Sequence, residues 1–540
     1  MTNIRFNDYT NDIIAALMLS DGYKTGHHNM YPQGTEEVYS NFTPRSNRHA
    51  PEGFDRVLSF GQQMTTRKIV VLFDKGFFNL PKHEVCGYIK EEFSMYLGFE
   101  YDVSHFERLH DLGYLPLRIK ALPEGMLVPL NVPVLTVRNT KKDFFWLTNF
   151  LETIISEMLW KPMTSATIAY LYRRDIEKWA LKTDPANVGG VKFQGHDFSM
   201  RGMDSVYATM SSGLGHALSF LGSDSLPVIP AARMYYDAIG PVIHSVNATE
   251  HSVMCAGGNA PGQELATFRY LMKQFPSGIL SIVSDTWDLW YVVTYILVQL
   301  KDEIIERGSA GGKIVIRPDS GDPVDIICGE LFTDEGKYLG RKDMVVLDGD
   351  DSPQNKGLIE LLWDLFGGTI NEQGYKVLDP CIGAIYGDAI TLDRQKQICD
   401  RLAQKGFAST NIVFGIGSYT YQYNTRDSFG FAMKATHVYL RFACNKDIGV
   451  CYESCDDTCK VGREIFKDPA TGDGRKKSAK GLLAVLPCAE KGCKLLNNCT
   501  EEEETGGLLQ TIFDDGIFFN TITLMEIRSK VDELVSEYCN

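Results

Sequence analysis

At 540 residues the chain is too long for one simple core, and two or three domains are the expectation. A hydrophobic share of 44% beside 23% charged residues is that of a soluble globular protein. A net charge of −15 argues against a nucleic-acid or anionic-membrane partner, so an anionic substrate would need a local basic patch. In chain order, the opening MTNIRFNDYTND carries acidic and amide residues where a signal peptide has a basic head. No apolar run approaches the roughly 20 residues that span a bilayer; the densest, 291–300, is half of that. A cytoplasmic location is expected. The thirteen cysteines are scattered, which suits reduced thiols better than a disulfide framework.

Residues 1–184 mix strand patterns such as LPLRIKALPE with two strong helical patterns near 144–159 and 165–181. Residues 185–425 then alternate. Strand candidates are VKFQGHDF (191–198), LPVIPA (226–231), GILSIVSD (278–285), KIVIRPD (313–319), IGAIYGD (382–388) and NIVFGIG (411–417). Helical periodicity fills 203–221, 262–275, 286–307, 355–366 and 391–405. Strands joined by crossover helices predict a parallel sheet, and the length suits an irregular, closed β/α barrel, with an open doubly wound sheet as the alternative. The tail after Thr436 reads as strand-poor, glycine-rich and cysteine-rich, and EEEET (501–505) reads as a solvated loop. Neither flank makes a complete core. Residues 1–184 and 426–540 are therefore expected to form one discontinuous mixed α+β domain beside the 185–425 barrel.

The most informative segment is IVIRPDSGDP (314–323). An apolar strand ends in Arg317, Pro318, Asp319, Ser320 and Gly321 before helical pattern resumes. The carboxyl ends of parallel strands form the ligand face of β/α proteins. Arg317 and Asp319 lie two apart and point the same way. A guanidinium fork suits phosphate, and a carboxylate suits sugar hydroxyls. The pair fits a phosphorylated ribose, although Asp and Gly also simply set turns. Other strand ends carry similar groups: His196, Asp197, Phe198 and Arg201; Asp224, expected just before the second strand; Glu250 and His251; Asp285; Gly387 and Asp388; and FGIGSYT around Gly417 and Ser418. Each alone is an ordinary turn or cap residue. Their recurrence around one barrel is the signal, and the glycine-rich 415–418 turn can offer backbone N–H groups to phosphate.

DGYKTGHHNMYP (21–32) resembles the opening of the nicotinamide phosphoribosyltransferases. The resemblance continues in the same order through VYSNFTPR, PLRIKALPEG, WLTNFLET, HDFSMRG, EHS, SIVSDTWD, IRPDSG, GDAIT, NIVFGIGS, TRD and FKDP. It implies a type II phosphoribosyltransferase fold and a homodimer with active sites at the interface. It further implies joining nicotinamide to 5-phosphoribosyl-1-pyrophosphate, with magnesium accompanying the pyrophosphate and ATP as a coupled substrate. Phe198 resembles the ring that sandwiches the pyridine, Tyr23 of the second subunit its other face, Arg201 the pyridine and phosphate residue, and Asp224 the carboxylate that accepts the amide N–H. Arg317, Asp319, Gly387 and Asp388 match phosphoribosyl binders, and Asp285 lies near the ribose and pyrophosphate. Gly417 and Ser418 match the phosphate turn. Arg45, Arg426 and Lys434 match a basic set reaching phosphates across the dimer. His251 matches the phosphorylatable histidine that couples ATP hydrolysis.

Three features depart from the family. Ser418 stands where the family has glycine, Ala432 stands where it has a hydroxyl, and an insertion precedes FKDP (466–469). That insertion holds Cys451, Cys455 and Cys459, with Cys444 nearby, at a spacing unlike common zinc sites, so reduced thiols are expected. A nicotinate-using enzyme and a non-catalytic nicotinamide or mononucleotide binder are the competing readings. Asp224 opposes the first and the retained Arg317, Asp319, Asp388 and His251 oppose the second.

Overall fold

The computed structural model describes residues 15–330, 337, 352–387, 389–443, 458–467 and 479–540. They group into two compact units. One takes in the chain up to 164 with 234–237 and 424–527; the other takes in 165–233, 238–423 and 528–540. The dividing points expected at 184 and 425 thus lie at 164 and 423, and the closing residues group with the barrel. The two expected N-terminal helices merge into one 32-residue helix, Glu152–Thr183, with Pro162 inside it. A helix that runs on past a division leaves no break in periodicity to mark it.

Among the described residues, the barrel unit holds seven parallel strands: β1 (Gly195–Asp197), β2 (Gly222–Ser223), β3 (Asn247–Ala248), β4 (Gly278–Val283), β5 (Gly312–Arg317), β6 (Ile382–Tyr386) and β7 (Ile412–Ile416). Their spatial order is β2-β1-β7-β6-β5-β4-β3. The segment from His244 to Thr249 closes the ring. Ser223 N–H donates to His244 O at 3.0 Å and His244 N–H to Leu221 O at 2.7 Å, while Thr249 N–H donates to Ser281 O at 3.0 Å. This is the irregular barrel rather than the open sheet. Along β5, strand alternation sends Lys313, Val315 and Arg317 to the barrel cavity. Ile314 and Ile316, on the other face, are fully buried. Helices Glu264–Gln274, Pro353–Phe366 and Leu392–Gln404 follow the expected patterns; in the last, Thr391 Oγ1 caps Arg394 N at 3.2 Å, and Ile398, Cys399 and Leu402 form the buried stripe.

Three local expectations are corrected. LPVIPA is not a strand: Val228–Tyr236 is helical, because a short apolar run has no period of its own to decide its type. The second strand is instead Gly222–Ser223, so Asp224 follows it at the carboxyl end rather than preceding it. VKFQGHDF is split: its first three residues end a 3-10 segment, Pro185–Phe193, and only Gly195–Asp197 form a strand.

The flanking unit is built on a seven-stranded sheet drawn from both ends of the chain. Thr35–Thr43 pairs antiparallel with Ala432–Ala443 on one side and with Leu135–Asn139 on the other. The tail is strand-rich, against expectation: Thr458–Glu464 joins that sheet, Gln510–Asp514 pairs with Leu117–Ala121, and Leu482–Cys488 pairs with Gly492–Cys499 as a hairpin. Nor is EEEET a loop. Glu501–Gly506 is a short helix closed by a capping box between Thr500 and Glu503. Glu504 is buried against Lys120 Nζ at 2.8 Å, and Glu501 accepts from Arg138 at 2.8 Å. A charge run looks solvated in sequence because its distant cations are not adjacent to it. Cys459 lies in a strand of this sheet; Cys444, Cys451 and Cys455 lie outside the described residues.

Candidate active site

The turn after β5 is organised by the end of β4. Asp285 Oδ2 accepts from Asp319 N–H at 2.9 Å, Ser320 N–H at 2.8 Å and Ser320 Oγ at 2.5 Å. These bonds tie the RPDSG turn to the end of β4. His251, first residue of the helix His251–Gly257, joins the same cluster. Its Nε2 lies 3.1 Å from Asp319 Oδ1 and its Nδ1 lies 3.2 Å from Thr286 Oγ1. Ligand atoms of His251, Asp285 and Asp319 all lie within 4.8 Å of one another. Asp285 Oδ1 is buried without a hydrogen-bond partner among the described residues. Two carboxylates with a free oxygen suit a hard divalent cation.

Arg317 leans into the barrel mouth, its guanidinium carbon 4.8 Å from the centre of the Phe198 ring. Its Nε is buried and has no hydrogen-bond partner among the described residues. Gly387, at the end of β6, makes room for it: a Cβ there would meet Arg317 Nε at 2.9 Å and Asp319 Cβ at 3.1 Å. Asp388 lies outside the described residues.

Asp224 stands across the mouth. Its Oδ1 accepts from His196 Nε2 at 3.0 Å and from the Ser245 hydroxyl. Burial pushes its carboxyl up, but the His196 and Ser245 hydrogen bonds and the charges of His196 and Arg317 outweigh burial and hold it below the ordinary carboxylate range. The His196 ring stacks on Phe198 at 4.5 Å.

Two cavities meet at Phe198, Asp224, Ala248 and Arg317. One, of about 350 Å³, runs inside the barrel past Ser281, Val315 and Lys313. The other, of about 1000 Å³, opens among Arg201, Glu250, Asp319, Gly387, Gly417 and Ser418. The barrel unit therefore brings together Phe198, Arg201, Asp224, His251, Asp285, Arg317, Asp319, Gly387, Gly417 and Ser418. Ser418 is accommodated by Gly202, where a Cβ would come within 2.1 Å of the Ser418 hydroxyl.

The remaining expected residues belong to the flanking unit. Arg45 and Lys434 line a cavity of about 280 Å³ there with Asn41, Thr43, Ala432 and Thr436. Burial, and next the charge of Arg426, lowers the Arg45 guanidinium from its ordinary value. Glu152 pairs with Lys24 at 2.8 Å and with Lys434 at 3.4 Å. Tyr23 is 65% exposed. Sequence reasoning singled out His196 as a strand-end group and placed Ser320 in the turn without giving either a role, and it passed over Ser245 and Thr286. The place of His196 beside Phe198 follows from the strand, where residues two apart share a face. Ser245 lies in a segment without periodicity and left no such trace.

Residues 193–517 match the nicotinate phosphoribosyltransferase (NAPRTase) family. Across 96% of this chain and 97% of the relative, the sequence is 46% identical to a nicotinamide phosphoribosyltransferase of Acinetobacter baylyi. It is 33% identical to a nicotinamide phosphoribosyltransferase of Mycoplasma pneumoniae, over 78% of this chain and 89% of that one. Two solved structures share the fold. A nicotinate-nucleotide pyrophosphorylase from Pyrococcus furiosus aligns at TM-score 0.51 and 15% identity over 100% and 99% of the two chains. Human nicotinic acid phosphoribosyltransferase aligns at 0.51 and 16% over 96% and 95%. A parallel barrel whose strand ends present Arg317, Asp319 and Asp285 is the architecture of a phosphoribosyltransferase. The chain belongs to the nicotinate phosphoribosyltransferase family.

Proposed function

We propose that this protein joins nicotinamide to 5-phosphoribosyl-1-pyrophosphate, giving nicotinamide mononucleotide and pyrophosphate in NAD salvage. The observation that carries the choice of nicotinamide is the Asp224 carboxylate at the mouth of the barrel beside Phe198, hydrogen-bonded by His196 and Ser245. Its carboxylate accepts an amide N–H. Facing the carboxylate of nicotinate about 4 Å away, it would meet a repulsion of roughly 4 kcal/mol at an effective dielectric near 20. The name of the Acinetobacter baylyi relative supports the same choice.

The pyridine nitrogen carries a free lone pair and attacks without a general base. Catalysis then rests on alignment and on charge: Phe198 holds the ring, Arg317 and Arg201 bind phosphate, and Asp319 and Asp285 face the developing positive charge of the ribose. Asp285 and Asp319 would also hold magnesium, which neutralises the departing pyrophosphate. Tyr23, Arg45, Arg426 and Lys434 are assigned to the site of a second subunit in a homodimer. His251, bonded to Asp319, is assigned to ATP coupling through phosphorylation.

The test is pyrophosphate release with nicotinamide or nicotinate, with and without ATP, for the wild type and His251→Ala. Nicotinamide should be strongly preferred, and the variant should lose ATP stimulation. Equal use of nicotinate, or acid-labile phosphate on His251→Ala after ATP treatment, refutes the respective assignment.

A further inference from the structure

The carboxylate that reads the pyridine substituent does not hold itself in place. Asp224 follows a strand of only two residues, and its side chain is about two-fifths exposed. What fixes it is a pair of donors on one oxygen: His196 Nε2 at 3.0 Å and the Ser245 hydroxyl, both on Oδ1. A ring nitrogen facing a carboxylate is the protonated one, so Nε2 donates. The ring cannot swing away freely. It stacks on Phe198 at 4.5 Å and 30°, and its other nitrogen lies against Gly222, where a Cβ would come within 2.8 Å of Nδ1. The mechanism proposed above gives neither His196 nor Ser245 a task.

We infer that His196 and Ser245 are positioning residues for pyridine selection: they occupy Asp224 Oδ1 and so turn Oδ2 alone toward the carboxamide. The inference rests on the reading of nicotinamide as substrate and deepens it. Two charge-assisted donors keep Asp224 anionic, which is what makes a carboxylate-bearing pyridine unwelcome. They also settle its rotation, so that the free oxygen meets the amide N–H without a conformational search. Because the His196 ring also packs on Phe198, one side chain sets both the acceptor and the aromatic platform.

The test compares kcat and KM for nicotinamide and nicotinate in the wild type, His196→Ala, His196→Gln and Ser245→Ala, with thermal melting to confirm folding. His196→Ala should raise KM for nicotinamide at least about tenfold, the scale of a lost hydrogen bond to a charged group, and by a larger factor than kcat falls. The preference for nicotinamide over nicotinate should shrink in His196→Ala and Ser245→Ala. His196→Gln, which keeps an N–H donor, should restore part of it. The KM for nicotinamide should also begin to climb at a higher pH in His196→Ala than in the wild type as pH falls, because Asp224 loses a donor that favours its ionised form. Folded His196→Ala and Ser245→Ala proteins with the wild-type preference overturn the inference, and if His196→Ala does not fold, Ser245→Ala and His196→Gln decide it. A wild-type protein that prefers nicotinate defeats the functional reading instead, and that result is seen before any variant is made.

Discussion

The mouth of the barrel and the flanking unit treat their charges differently. In the flank, carboxylates and cations mostly satisfy each other: Lys120 with Glu504 at 2.8 Å, Arg138 with Glu37 at 2.6 Å and Glu501 at 2.8 Å, Arg441 with Glu36 at 2.6 Å. The hydrogen bond from Arg138 chiefly, against the opposing pull of burial, takes the Glu501 carboxyl down to about 2. In the turn at the barrel mouth, backbone N–H groups share the holding with Ser320, and side-chain atoms are left over. Asp285 Oδ2 is saturated by the turn, whereas among the described residues Oδ1 has no partner and Arg317 has a buried Nε with none. Unpaired buried polar atoms are costly, and they persist where a ligand completes them. Buried atoms without a partner occur in the flank too, Glu504 Oε1 among them, but at the mouth Arg317 also lines both cavities.

The comparison breaks most readily at Arg317. Arg317→Ala should lower kcat/KM by about 100- to 1000-fold, the scale of losing a preorganised charge at a developing anion, without lowering the melting temperature. A variant that stays active in a pyrophosphate-release assay removes Arg317 from the chemistry.

Next in size is the proposed sharing of sites between subunits. Tyr23→Ala with Arg45→Ala in one chain, and Phe198→Ala with Arg201→Ala in another, should each be nearly inactive. A mixed dimer of the two should regain about half of wild-type activity, since one of its two sites is intact. No recovery in verified heterodimers would show that each chain completes its own site.

The paired charges of the flank should respond in stability instead. Lys120→Ala leaves Glu504 buried without its cation and should cost about 3–5 kcal/mol in denaturant unfolding. Unchanged unfolding would mean that the 501–506 helix is held by its cap alone.

The smallest effect is the dependence on pH. In the flank, burial chiefly lowers His28, and lowers His105 to about 3; the two rings stack at 3.9 Å. Above the unfolded value of about 6.5 both are neutral in both states and nothing is lost. Below it the unfolded chain takes up protons that the folded chain refuses. Stability should therefore fall with pH from about 6.5 toward the folded values, by at most about 1.4 kcal/mol per pH unit for each histidine. His105→Gln should flatten that slope in acid unfolding followed by fluorescence; an unchanged slope assigns the acid sensitivity elsewhere.

The sequence alone determined the parallel alternation of β4 to β7, since each of those strands carries an apolar run long enough to declare itself, and it placed Arg317, Asp319 and Asp285 at strand ends. It also marked Phe198, Asp224 and His251 through the family pattern. It could not place β2 and β3, because two-residue strands have no period. It misjudged the 501–506 helix, because the cations that bury its carboxylates lie over 360 residues away in the chain. Only the tertiary structure decided that His196 and Ser245 share one oxygen of Asp224 and that Asp285 builds the turn it faces. Those are hydrogen bonds between residues 21 to 35 positions apart, set by the curvature that closes the barrel. Residue types reveal which chemistry a chain can carry, but the direction of each lone pair is fixed only when distant strand ends meet.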